Sequence, residues 1–340
     1  MSLNTATPTP QSPALRWGFV GTGKIAGWMA AVLRDMPGAQ LAAVASRSAV
    51  SAQAFASRHS AERGFAFWAE MLAWDGIDAV YVATPTARRE EICIAAAQAG
   101  KHVLGEKPFT SLPSLKRITA ACREHGVAFM DATHFVHHPR TAAILERRDE
   151  LVGRPSALDS SFLVPLGDRS DIRYDRSLEP LGALGDLGWY TLRATLEYLS
   201  PLAALRSINA RLRRDRHSGA IIGGAGSLVF EDGRVSTWRC GFDAETPIIK
   251  LRLSGPLGQI AMDNFVGDEA DGSASYRPAR ASGTAAAPSL IRVGSHYPSP
   301  ALMFQDFAVA ARDPMLRDRW IEASERTQGL LDAVQDAAEG

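Results

Sequence analysis

The stretch RWGFVGTGKIAGW, Arg16–Trp28, begins with a short apolar run, passes through a glycine turn and enters a helical pattern. Its centre, Gly21-Thr22-Gly23-Lys24-Ile25-Ala26, has the form G-x-G-x-x-A. After a strand and before a helix, that form is a cradle for a dinucleotide pyrophosphate. Gly21 permits the tight turn, Gly23 lets the pyrophosphate approach the backbone, and Ala26 lets helix and strand pack closely. The helix start then offers free N–H groups and a partial positive charge to the phosphates. Gly21, Thr22, Gly23, Lys24, Ile25 and Ala26 are therefore the first candidate cofactor-binding residues. A ligand-free glycine turn is the competing reading.

Outward from this stretch, short apolar runs alternate with helical segments. LAAVAS, AVYVAT (Ala79–Thr84), HVLGEK and VAFMDAT read as further strands. Ile25–Met36, Val50–His59, a segment ending at Ala99 and Leu115–His125 read as helices, the last two stopped by Gly100 and Gly126. Strands apolar on both faces that alternate with helices form a parallel sheet covered on both sides. After about Thr133 the pattern changes. Asp232-Gly233 sits between two alternating runs, a hairpin signal, and IIKLRLSGPLGQIAMDNFV continues as strand, turn, strand. Residues 266–288 read as a mobile loop, and helices near 301–312 and 322–337 close the chain. The expected fold is α/β: a disordered lead-in over 1–14, a doubly wound dinucleotide-binding (Rossmann) domain over 15–133, and an α+β substrate and oligomerisation domain over 134–340 with a large, open, mostly antiparallel sheet.

Composition narrows the function. The 340 residues carry 37 Lys+Arg and 37 Asp+Glu, so no basic excess exists to track a nucleic-acid backbone. No apolar run reaches the ~20 residues needed to span a bilayer. Cys93, Cys122 and Cys240 form no C-x-x-C pair, which argues against structural zinc and fits a reducing cytoplasm. No metal is expected: HxxHH (His134, His137, His138) lacks a carboxylate or cysteine to complete a site.

Three further clusters carry chemistry. At the end of the second strand, Ser46-Arg47-Ser48 stands where an NAD enzyme places an acid for the ribose hydroxyls. An arginine between two hydroxyls suits a 2′-phosphate instead, so NADP is favoured and NAD is the lesser option; a solvated surface charge is the alternative. Glu106-Lys107-Pro108 ends another strand, at the sheet edge where ligands bind. In LGALGDLGWYTLRATL (Leu181–Leu196), Asp186 and Tyr190 are four residues apart and share a helix face. They read either as a helix cap and a half-buried core tyrosine, or as a functional pair.

Together, the glycine loop, ATP (Ala83–Pro85), AGKHVLGEKP (Ala99–Pro108) and GALGDLGWY (Gly182–Tyr190) resemble the Gfo/Idh/MocA oxidoreductases, over nearly the whole chain from Arg16. MDATHFVHHPR and LGALGDLGWYTLRATL are most similar to a branch related to NADP-dependent D-xylose dehydrogenases and trans-dihydrodiol dehydrogenases. The chain departs from the common family pattern at Tyr190, where many members have His. It departs again at Thr86 and Arg89, where Asn and His are common.

The resemblance implies that Lys107, Asp186 and Tyr190 meet around the nicotinamide. It also adds Thr84, Pro85, Thr86, Glu106 and Lys107 to Ser46 and Arg47 as cofactor contacts. His134 follows a predicted strand end and is expected near the nicotinamide pocket as a substrate-site residue, while Trp189 and Arg193 either line the substrate site or pack the helix against the sheet. The implied activity is NADP-dependent hydride transfer between the nicotinamide and a CH–OH group of a sugar, cyclic polyol or dihydrodiol. The alternatives are a non-catalytic NADP(H) sensor, or a lyase or glycosidase with a retained cofactor. A free tyrosine has a pKa near ~10, and Lys107 is expected to lower it toward a usable base; either Lys107 or Tyr190 is the proton acceptor. The glycines around Asp186 are expected to let the backbone approach the cofactor. Loops around 134–176 and 264–298 should shape the substrate pocket. A cytoplasmic homodimer or homotetramer, with no nucleic-acid or membrane partner, is the remaining expectation.

Overall fold

A computed structural model describes residues 15–280 and 289–340. The expected lead-in over 1–14, and the 281–288 part of the expected mobile loop, lie outside the described residues. Strands β1 (Arg16–Val20), β2 (Gln40–Ala45), β3 (Arg63–Phe65), β4 (Ala79–Val82), β5 (His102–Gly105) and β6 (Phe129–Asp131) form a parallel sheet in the order β3-β2-β1-β4-β5-β6. Helices α1 (Lys24–Arg34), α2 (Ala49–His59), α3 (Trp68–Leu72), α4 (Arg89–Gln98) and α5 (Leu112–Glu124) connect them. All four residues of β4 are buried, as a strand covered on both faces requires. Strand order reverses between β1 and β4, which opens a crevice beyond their carboxyl ends. Short β3 and α3 carry too few periodic residues to have been read from the sequence.

The second sheet has eight strands in the order β14-β13-β12-β11-β7-β10-β9-β8. After α6 (Pro139–Val152) come β7 (Ala157–Pro165), α7 (Trp189–Tyr198), β8 (Leu205–Arg214), β9 (Ile221–Phe230) and β10 (Val235–Gly241). Then follow β11 (Asp243–Gly255), β12 (Gly258–Met262), β13 (Ala274–Arg280) and β14 (Ile291–Val293). Among the described residues of this sheet, only the strands β7 and β10 pair in parallel. The Asp232-Gly233 hairpin forms as expected: Gly233 takes φ +82° and its N–H donates to Phe230 O at 2.9 Å. Part of the expected mobile loop is instead β13, which pairs with β12 and buries Ala274 and Tyr276; its Ala/Ser-rich composition hid a strand whose alternate residues face the core.

The closing helices, α8 (Ser299–Arg312) and α9 (Pro314–Glu339), do not stay with the second sheet. Phe304 and Phe307 of α8 lie 4.9 and 5.1 Å, centroid to centroid, from the buried Trp17 of β1. The core of the nucleotide-binding layer is thus completed by residues from the far end of the chain. Helix α9 begins earlier than expected because Asp313 accepts from Met315 N at 2.9 Å and Pro314 starts the first turn. Along its length it reaches both layers. Gln328 Oε1 accepts from Phe109 N at 3.0 Å, Asp332 Oδ2 from Leu112 N at 2.6 Å, and Glu339 Oε1 from Arg214 at 2.7 Å. No helix among the described residues is long and apolar enough to cross a membrane.

Candidate active site

The glycine loop sits at the crevice mouth. Gly21 has φ +116°, and a Cβ there would lie 2.7 Å from the Ala83 carbonyl oxygen, so β4 leaves room only for glycine. Gly23 is different. Its φ of −76° suits any residue, and a Cβ would meet no atom within 4 Å. Nothing in the protein demands glycine at this position; a group docking against it would. The first turn of α1 also receives no side-chain cap, leaving its N–H groups for an anion. Thr22 Oγ1 and Ser46 Oγ are 3.3 Å apart, tying the loop to the end of β2, with Arg47 exposed beside them. Lys24 is exposed, Ile25 and Pro85 are half-buried, and Ala26 is fully buried. At the end of β4, Thr84 Oγ1 is buried without a hydrogen-bond partner. An uncapped helix start, open space before Gly23 and an orphaned hydroxyl fit a bound dinucleotide.

Across the crevice, the structure brings Lys107, Asp186 and Tyr190 together. Lys107 follows β5 and is 8% exposed. Its Nζ donates to the Asp186 carbonyl at 2.7 Å and to Asp186 Oδ1 at 2.8 Å, and lies 4.8 Å from the Tyr190 ring centroid. Asp186 is not a helix cap. It belongs to a π-helical turn, Leu184–Gly188, that precedes α7 and has no capping side chain. Such turns often mark functional sites. A Cβ on Gly185 would lie 2.6 Å from Pro108 Cγ. The glycine therefore lets the turn dock on the residue after Lys107.

The electrostatics revise the expected role of Tyr190. Burial, then the charges of Glu106, Asp186 and Asp131, push its phenol well above 10, against a smaller opposing effect of Arg173. The expected lowering by Lys107 does not prevail over burial and these carboxylates. Tyr190 is thus a proton holder at neutral pH and not a ready base. For Asp186, burial favours the neutral acid, but the charges and hydrogen bonds of Lys107 and Arg173 outweigh it and hold the carboxyl far below its usual range. Burial raises Glu106, which Lys107 and a hydrogen bond from Tyr81 only partly offset.

The candidate substrate residues separate. His134 lies at the crevice, its ring 5.8 Å from both Trp28 and Tyr190, with Nδ1 buried and unpartnered. Burial pulls its pKa down to about 4, so the ring is neutral at pH 7. Trp189 and Arg193 do not face the crevice. Trp189 is fully buried and donates to Thr133 Oγ1 at 2.6 Å. Arg193 is buried against Asp131 at 3.2 Å and Glu197 at 2.7 Å. Both hold α7 in place. Trp189→Ala should accordingly cost about 3–5 kcal/mol of stability, measured by denaturant unfolding, while the protein that remains folded binds cofactor normally. Thr86 also has a structural partner: its N–H and hydroxyl both donate to the Glu179 carboxylate. His137 pairs with Asp306 and His138 bridges Arg140 N and Gly272 O, so the last two histidines of HxxHH serve three separate structural contacts.

Two functional candidates were not legible in sequence. Arg173 donates to Asp186 Oδ2 at 2.6 Å from a 3₁₀ turn, Ile172–Tyr174. Glu179 anchors the same connecting segment to Thr86. Their segment, GDRSDIRYDRSLEP, alternates acids and arginines, which by itself reads as a solvated loop.

Residues 15–133 match the family model of an oxidoreductase family with an NAD-binding Rossmann fold, named GFO_IDH_MocA. Among curated proteins, a dTDP-3,4-didehydro-2,6-dideoxy-alpha-D-glucose 3-reductase of Streptomyces antibioticus is 32% identical over 255 residues, 74% of this chain and 76% of the relative. The chain belongs to the Gfo/Idh/MocA oxidoreductase family. The like-named reductase of Actinomadura kijaniata is 35% identical over 223 residues, spanning 64% of this chain and 66% of the relative. A crystal structure of a 3-ketoreductase from Actinomadura kijaniata with NADP and TDP-benzene superposes with a TM-score of 0.87 at 28% identity, covering 95% of this chain and 98% of that one. Membership makes this chain a nicotinamide-dependent oxidoreductase, and its two sheets have the family architecture.

Proposed function

We propose that the protein is an NADP-dependent oxidoreductase that moves hydride between the nicotinamide and a C=O or CH–OH carbon of a sugar or cyclic polyol. The convergence of Lys107, Asp186 and Tyr190 opposite the glycine loop carries this reading. Gly21–Ala26, Ser46, Arg47, Thr84 and the Glu106-Lys107 turn would hold the cofactor, which supplies the hydride when bound. As a carbonyl carbon is reduced, negative charge grows on its oxygen and a proton must follow. Lys107 supplies a fixed positive charge beside that oxygen. Tyr190, which keeps its proton at neutral pH, donates it. Asp186 keeps the ammonium aimed, and the neutral His134 ring packs beside Trp28 and Tyr190 at the crevice. The related 3-reductases act on nucleotide-linked keto sugars, which supports a ketone substrate beside the aldoses and dihydrodiols suggested by sequence. A non-catalytic sensor would have no use for this set.

Cofactor choice is the direct test. NADPH and NADH titrated separately into the purified protein should show clear preference for NADPH. Arg47→Ala should weaken NADPH about tenfold, the loss of one charge-assisted contact, and leave NADH unchanged. Equal loss for both would remove Arg47 from the 2′-phosphate, and no binding of either would overturn the site. Turnover is probed with a dTDP-linked 3-keto-hexose and NADPH, and with D-xylose and NADP⁺.

A further inference from the structure

We propose that Arg173 is a positioning residue of this reaction, acting through Asp186 on Lys107. The inference rests on the reading of Lys107 as the charge beside the substrate oxygen. Asp186 has two carboxylate oxygens, and each takes one cation: Oδ1 accepts from Lys107 Nζ at 2.8 Å and Oδ2 from Arg173 Nε at 2.6 Å. The guanidinium is itself prepared for this contact. Asp171 accepts from the Arg173 backbone N–H at 3.0 Å and from its NH1 at 3.1 and 3.3 Å. Arg173 is therefore held at both ends, between a carboxylate on its own turn and the one in the site.

The segment that carries Arg173 is also seated on the rest of the molecule. Tyr174 donates to Leu166 O at 2.7 Å, Arg169 pairs with Asp215, and Glu179 accepts from Thr86 N at 3.0 Å. Arg173 thus reaches Asp186 from a fixed platform although its side chain is 38% exposed.

The consequence is electrostatic. The titratable groups facing Asp186 are Lys107 and Glu106 after β5, Arg173 from the connecting segment, Tyr190 on α7 and Cys240 on β10. Of these only Lys107 and Arg173 bring positive charge. With Arg173 gone, one cation faces a largely buried carboxylate that has Glu106 nearby. Asp186 then takes up a proton at higher pH than before but stays ionised at neutral pH; what it loses is the partner on Oδ2, so its carboxylate is free to turn and no longer fixes the ammonium on Oδ1. Arg173 thus favours the ionised form of Asp186 and, by holding its carboxylate, maintains the aim of Lys107.

The deciding experiment needs no substrate. In protein labelled with carboxyl-¹³C aspartate, the Asp186 resonance, identified by its loss in Asp186→Asn, is followed against pH. In Arg173→Gln its midpoint should rise by about one unit or more, while Arg173→Lys should stay close to wild type. Kinetics with whichever of the two probes turns over should show kcat reduced about 10- to 100-fold in Arg173→Gln. The acid limb should move to higher pH, NADPH affinity should be unchanged, and Arg173→Lys should recover much of the rate. An unmoved midpoint overturns the proposal. So does a loss confined to KM with an unshifted pH profile, which would make Arg173 a substrate contact. If Lys107→Ala turns over normally, the proposed function itself fails. A dead Lys107→Ala beside a normal Arg173→Gln removes only the role of Arg173.

Discussion

Lys107→Ala should lower kcat about 1,000-fold, the scale on which loss of a charge-stabilising donor and of an aligned proton path combine. The reason is geometric. The ammonium touches both Asp186, at 2.8 Å, and the face of Tyr190, at 4.8 Å. Removing it leaves Tyr190 its proton but takes away the positive charge that stabilises the substrate oxygen during transfer. The loss should fall on kcat, with NADPH affinity held within about threefold, less than 1 kcal/mol. The fold should survive, because Asp186 keeps Arg173 as a partner and avoids the penalty of a buried, unpaired charge. Stopped-flow NADPH oxidation with a matched thermal melt checks both halves. Turnover within tenfold of wild type would show that proton and charge are supplied elsewhere.

The glycine loop offers the second large effect, because two glycines two residues apart are glycine for different reasons. Gly21→Val puts a β-branched residue at φ +116° with its Cβ 2.7 Å from the Ala83 carbonyl. The turn must shift, which should cost about 2 kcal/mol or more of stability and remove cofactor binding as well. Gly23→Ala places its Cβ where no protein atom lies within 4 Å. Its ligand-free melting temperature should match wild type, yet NADPH should bind about 100-fold more weakly, since the methyl occupies the space that a pyrophosphate approaches. The contrast is measured by melting each variant with and without NADPH. A Gly23→Ala protein that is stabilised by NADPH as well as wild type would move the pyrophosphate off this loop.

The first sheet was legible because each of its long elements carries a local signature. β1 and β4 are continuous apolar runs, and Gly100 and Gly126 stop their helices in the left-handed conformation, at φ +71° and +63°. The meeting of Lys107, Asp186 and Tyr190 was legible through a family pattern and not through local physics; spacing alone suited a cap and a core tyrosine equally. What stayed hidden depends on tertiary neighbours. Arg193 in a functional-looking helix has a buried partner, Asp131, 62 positions away. Tyr190 changes chemical character through burial and three carboxylates that no spacing displays. Arg173 looks like loop charge until the chain folds it onto Asp186.

The return of α8 and α9 to the first sheet bears on how this chain can be recombined. Trp17 of β1 is packed by Phe304 and Phe307, and α9 holds the backbone at Phe109 and Leu112. A chimera joined near residue 133, trading one substrate half for another, would therefore inherit a foreign lining for its nucleotide half. Grafts that replace 139–293 and retain the native 299–339 keep both halves of that packing from one parent. For recombination, the module is discontinuous: the ends of the chain form one unit, and an inserted middle must still match α9, which also touches β8 and α7.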